Sequence, residues 1–88
     1  MSRHIFNTKD GKPVAYGFDR PLEEYFLQVF DPKKEEHESI ILDWGTNSVY
    51  SALVGRKHKS RMNIYDKLVE LGCPDEDNLA KLAFDLPF

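Results

Sequence analysis

The chain has 88 residues, of which 41% are hydrophobic, 31% charged and 12% aromatic, with a formal net charge of −3. That mixture excludes a disordered or low-complexity protein, and the length suits one compact domain over residues 1–88, being too short for two. No apolar run approaches the ~20 residues of a membrane span, no apolar segment follows residues 1–4 as a secretory signal would require, and the single cysteine excludes an internal disulfide, so the expectation is a soluble cytoplasmic protein without a membrane partner.

Eight of the eleven aromatics fall in residues 1–50, where they favour a pleated surface, and the remainder is richer in the helix formers Leu, Lys, Glu and Ala. Residues 3–7 read as a short strand around Ile5 and Phe6. Lys9-Asp10-Gly11-Lys12 is a turn, because Gly adopts a positive φ without a clash. Val14, Tyr16 and Phe18 then alternate with Ala15 and Gly17, the period of a half-buried strand, so residues 3–18 form a hairpin. Pro13 fits at the start of its second strand, where a backbone N–H is dispensable.

Residues 22–30 satisfy two periods at once. Leu22, Tyr25, Phe26, Val29 and Phe30 lie at helical spacing, while Tyr25 to Phe30 is rich in strand formers and a second apolar run, Ile40-Ile41-Leu42-Asp43-Trp44, follows after the polar residues 31–38. The strand reading pairs these two runs as a hairpin. The helix reading lays one helix across a three-stranded sheet.

Three helices are expected beyond Gly45. Thr46 or Asn47 caps the first, which carries Val49, Tyr50, Leu53 and Val54 and ends at Gly55. Ser60 caps the second, with Ile64, Leu68 and Leu71 as its stripe and Gly72 at its end. Pro74 is placed in the first turn of the third, ahead of Asp75, Glu76 and Asp77, with Leu79, Leu82, Ala83 and Leu86 as its stripe. Leu86-Pro87-Phe88 is an apolar tail expected to dock on the domain. The fold class is therefore α+β, a small antiparallel sheet of three or four strands over residues 3–44, packed on one face by two or three helices over residues 47–84.

Functional signals are sparse. Residues 56–71 carry five cations against two acids, and Arg56, Lys57, His58, Lys59 and Arg61 make a basic segment before a helix N-terminus, a candidate contact for nucleic acid or another anionic ligand. The acidic whole gives nucleic acid no global attraction, and a solvated linker explains the run equally well. His4, His37, His58 and Cys73 lack zinc-ligand spacing, so no metal is expected. Cys73 has no neighbouring histidine to act as its base and reads as an inert thiol. Asp19 with Glu23 or Glu24, or Asp43, could furnish a carboxylate pair, which needs one member buried to raise its pKa. There is no Gly-rich phosphate loop, H-E-x-x-H or G-x-S-x-G motif, so no catalytic residue or cofactor is expected.

The aromatic cluster of Tyr16, Phe18, Tyr25, Phe26, Phe30 and Trp44 fits a core, and a domain this small needs its large residues inside. Tyr16, Tyr25 and Trp44 at its edge, with Phe88, are the candidate partner contacts. The expectation is a non-catalytic cytoplasmic interaction or regulatory module that binds another protein or itself, with nucleic-acid or anion binding through residues 56–61 as the alternative.

Overall fold

The computed structural model describes residues 2–33 and 40–88. The elements run β1 (His4–Asn7), β2 (Pro13–Asp19), β3 (Glu24–Phe30), β4 (Ile40–Gly45), α1 (Ser48–Val54), β5 (Lys57–His58), α2 (Arg61–Leu71) and α3 (Glu76–Ala83). The α+β class, the sheet-first order and the C-terminal helices are as the sequence predicts. The sheet, however, has five strands in the order β1-β2-β3-β4-β5. The first four are antiparallel, whereas β5 pairs parallel to β4 (Trp44 with Lys57, Gly45 with His58), making the sheet mixed. Two polar, exposed residues carry no hydrophobic alternation, which is why the fifth strand left no sequence signal.

The turn between β1 and β2 forms as expected. Gly11 takes φ +81°, and the Thr8 side chain accepts from the Lys12 amide at 3.0 Å and donates to the Asp10 carboxylate. That bond, helped by Lys12, holds the Asp10 carboxyl down at about 2.

Residues 24–30 are strand, and Leu27 decides it. Helical spacing leaves Leu27 off the apolar stripe, yet it is wholly buried, because Tyr25, Leu27 and Val29 share one face of β3. These side chains meet Val14 and Tyr16 of β2, then Ile64 and Leu68 of α2 and Leu82 of α3, to form the core. Phe26 belongs to the opposite face. It pairs with Gly17, where an added Cβ would strike the Ser2 backbone and stand 3.1 Å from the Phe26 ring.

Asn47 caps α1 and Ser60 caps α2, each side chain accepting the amide three residues on, while Gly55 and Gly72 end these helices in the left-handed conformation. α3 departs by one residue. Its cap is Asp75, which accepts from the Asn78 amide, so Pro74 precedes the helix instead of sitting in its first turn. Asn78 is buried and donates to the Tyr16 hydroxyl at 3.1 Å, tying α3 to the sheet. Of the tail, Phe88 docks as expected, whereas Leu86, expected on the stripe of α3, lies beyond the helix end at Ala83 and is 53% exposed. The Phe88 ring centroid lies 5.7 Å from His4, 5.8 Å from Tyr16 and 5.8 Å from Tyr25. Of the polar 31–38 segment, residues 34–38, including His37, lie outside the described residues.

Candidate functional site

The basic segment is split by its own secondary structure. Arg56 precedes β5 and extends over the sheet face opposite the core. Its Nη1 lies 3.1 Å from Glu24 Oε2 and its Nε 2.8 Å from Asp43 Oδ1, the second an ion pair by distance without hydrogen-bond alignment. Tyr50 of α1 presents its ring 5.5 Å from the guanidinium. One cation thus joins β3, β4 and α1. Its side chain is 13% exposed, against 1% for Glu24 and 27% for Asp43.

Glu24 is the unusual member. Burial pushes its carboxyl up, and the opposing pull of Arg56, followed by the Asn47 backbone amide, does not reverse this. Among the described residues its Oε1 has no hydrogen-bond partner, and neither has the buried Ser51 hydroxyl of α1. Gly45 makes room for the carboxylate, since a Cβ there would overlap Glu24 Oε1 and come within 2.7 Å of Arg56 Cδ. The buried carboxyl that the sequence could only postulate therefore exists. It is paired through arginine with Asp43, and its side chain is only 1% exposed. Asp19 and Glu24 are cross-strand partners, and Glu23 is exposed in the turn at φ 48°.

Arg61 is also turned inward. As the first residue of α2 it donates from Nη1 to the carbonyls of Leu82 (2.6 Å) and Ala83 (2.7 Å), satisfying the C-terminal end of α3. Asp85 lies 3.7 Å from its Nε. Lys59 stands over the Trp44 ring, 4.9 Å from the centroid. Lys57 and His58 remain exposed on the sheet edge. Five residues within a six-residue stretch thus divide into two internal clamps, one cation on an aromatic ring and a two-residue edge.

Of the candidate partner contacts, Tyr16 and Tyr25 are core residues, with exposures of 3% and 5%. Burial and the Asp85 hydrogen bond push the Tyr25 hydroxyl up to about 12. Trp44 and Phe88 are half-buried against the same core. A groove of about 550 Å³ runs between the 8–12 turn, β4 and the end of α2. Of the three lysines that line it, Lys12 pairs with Asp10 at 3.0 Å and Lys67 with Glu70 at 3.4 Å. Among the described residues, no group of three or more His, Cys, Asp or Glu is placed to hold a metal ion, and no helix is long and apolar enough to cross a membrane.

The surface that the motif reading passed over is α1. Val49 is 70% and Leu53 78% exposed, one turn apart on the helix, with Val54 at 48%. The signal was present, because residues 44–55 are twelve consecutive uncharged residues in a chain where nearly one in three is charged. A helical stripe ordinarily marks core, and only the placement of α1 shows that this one faces outward. Compared with family models, with curated proteins and with solved structures, the chain matches none of them.

Proposed function

We propose that the chain is a small non-catalytic interaction module of the cytoplasm, and that α1 is its contact surface. The observation that carries this reading is the pair Val49 and Leu53, exposed on a seven-residue helix. Aliphatic side chains in water at these exposures are a free-energy reserve that association releases, at about 25 cal/mol per Å² of apolar surface covered. The helix is also held in place beforehand. Asn47 donates to the Leu22 carbonyl at 2.9 Å, and Arg56 anchors the far end through Glu24 and Asp43. A surface ordered before binding loses little entropy on binding.

The non-catalytic part of the proposal draws on the ion cluster. Among the described residues, the carboxyl that burial raises, Glu24, is sealed beneath Arg56 and Gly45, as a structural lock requires and a general acid does not. The compartment draws on the lone Cys73, a half-buried free thiol suited to reducing conditions. Native co-purification with the wild type and with Val49→Ser/Leu53→Ser tests the reading. A specific partner, another protein or a second copy, is expected with the wild type and lost with the variant. Identical profiles for the two would refute it.

A further inference from the structure

We propose that the groove between the 8–12 turn, β4 and the end of α2 binds a small aliphatic carboxylate, a medium-chain fatty acid free in solution. No residue of α1 lines this groove, so the site stands or falls independently of the α1 surface.

The dimensions suit a small molecule. The volume of about 550 Å³ lies within the ~300–1,000 Å³ of small-ligand sites. Three parts of the chain enclose it. The turn forms one wall, Val29, Ile41 and Leu42 of the sheet form a second, and α2 from Lys67 to its stop at Gly72 forms the third.

The apolar lining sets the body of the ligand. Val29 belongs to the core, and Leu42 and Leu71 pack against it, so the core itself opens into the groove. Ile41 and Val69 line it at 55% and 52% exposure, apolar surface that an occupant would take out of water. All five are aliphatic. The eleven aromatics of the chain are all among the described residues, and none lines the groove. A nucleobase or other flat ring would find nothing there to stack on. An alkyl chain needs no such partner.

The charges set its head. Among the described residues, Lys9, Lys12 and Lys67 line the groove against Asp10 and Glu70. That is a surplus of one cation in a chain of net charge −3. Thr8 and Lys12 already hold Asp10. Lys67 is placed differently. Its side chain is 27% exposed against 69% for Glu70, and its Nζ stands 3.4 Å from both Glu70 oxygens. A pair so long and so open to solvent contributes little, so Lys67 can exchange Glu70 for a carboxylate in the groove with little loss. The end of α2 selects against a larger charge. Gly72 marks the C-terminal, negative end of that helix, which repels a phosphate dianion more strongly than a carboxylate. A single negative charge matches the single surplus cation.

Titration of the isotope-labelled full chain with decanoate up to ~5 mM, followed by amide chemical shifts and calorimetry, tests the proposal over the affinities open to a ligand of this size. Saturable binding is expected. The amides of residues 8–12, 41–42 and 69–72 should shift and those of α1 should not. Octanoate, shorter by two methylenes, should bind about tenfold more weakly than decanoate. Decylammonium, with the same chain and the opposite charge, should bind at least ~10-fold more weakly. Decyl phosphate should also bind more weakly than decanoate. Lys67→Met should weaken decanoate about fivefold. Val69→Glu, at a half-exposed helical position, should weaken it at least ~10-fold. Lys81→Met, on α3 and outside the lining, should leave it unchanged.

No saturable shift at the top of the range overturns the proposal. So do shifts centred on α1 or scattered over the surface, octanoate, decylammonium or decyl phosphate binding as tightly as decanoate, or Lys67→Met binding no more weakly than Lys81→Met. The amide map of the wild type locates the site whether or not Val69→Glu folds.

Discussion

Replacing Arg56 by methionine tests whether the most basic stretch of the chain is a lock or a surface. The substitution keeps the aliphatic stem and removes the cation paired with Glu24, whose side chain is 1% exposed. Removing one partner of a buried pair costs about 3–5 kcal/mol, because the remaining charge is stranded. Asp43, at 27% exposure, can return to water and adds little. The loss is a large share of the ~4–13 kcal/mol expected for a domain of this size. With a urea slope of about 1 kcal/mol per M, the midpoint should fall by ~3 M or more, followed through the single tryptophan, Trp44.

The pH dependence sharpens this test. Burial already raises the Glu24 carboxyl above its ordinary 4.5, and losing Arg56 raises it further. A group that holds its proton more tightly folded than unfolded favours the fold below its unfolded pKa, and that gain is lost as pH rises through the folded value. The deficit of Arg56→Met against wild type should therefore shrink toward acid pH. Arg56→Met/Glu24→Gln, with no stranded charge, should recover more than half of it at neutral pH. Lys57→Met, on the exposed edge, should change stability by no more than ~0.5 kcal/mol. If Arg56→Met is no worse than Lys57→Met, or the double variant no better than the single, the lock is refuted.

Arg61→Met should cost about 2 kcal/mol in the same titration, since it leaves the Leu82 and Ala83 carbonyls without their charged donor. Leu27→Ala should cost ~2–5 kcal/mol as a cavity at the centre of the core, whereas Ile5→Ala, at 65% exposure, should cost under ~0.5 kcal/mol. An equal effect of the two would refute the assignment of faces on the sheet. Alkaline stability should be present below the ordinary tyrosine value of 10 and fall as pH rises toward 12, because the folded state holds the Tyr25 proton more tightly than the unfolded chain. Tyr25→Phe should soften that fall in a thermal-melt series.

Local chemistry made much of the fold legible. The 8–12 turn, the Asn47 and Ser60 caps and the Gly55 and Gly72 stops depend on side chains acting within a few residues of themselves, and a linear reading recovers such interactions. Residues 22–30 were harder, because five apolar positions satisfied the helical period while the deciding residue, Leu27, counts only once a neighbouring strand buries it. The site was legible only in part. Arg56 reaches Glu24 across 32 positions and Arg61 reaches Leu82 across 21. A cluster of cations in sequence carries no mark of which of its members will be consumed by distant acids and carbonyls. The opposite error attends Val49 and Leu53, whose helical spacing suggests burial while the fold leaves them 70% and 78% exposed.

The spatial order of the strands repeats their order along the chain, so every ladder joins consecutive strands and none has to be threaded between two already paired. Such a sheet can grow by annealing one neighbour at a time, and its contacts are closed at low loop entropy. It can also fray from one margin while the rest stays intact. β5 is the margin with least to hold it, a two-residue strand backed by the Lys59 amide on the Gly45 carbonyl at 2.9 Å. Native-state hydrogen exchange should release that margin first and the amides of β2 and β3 last.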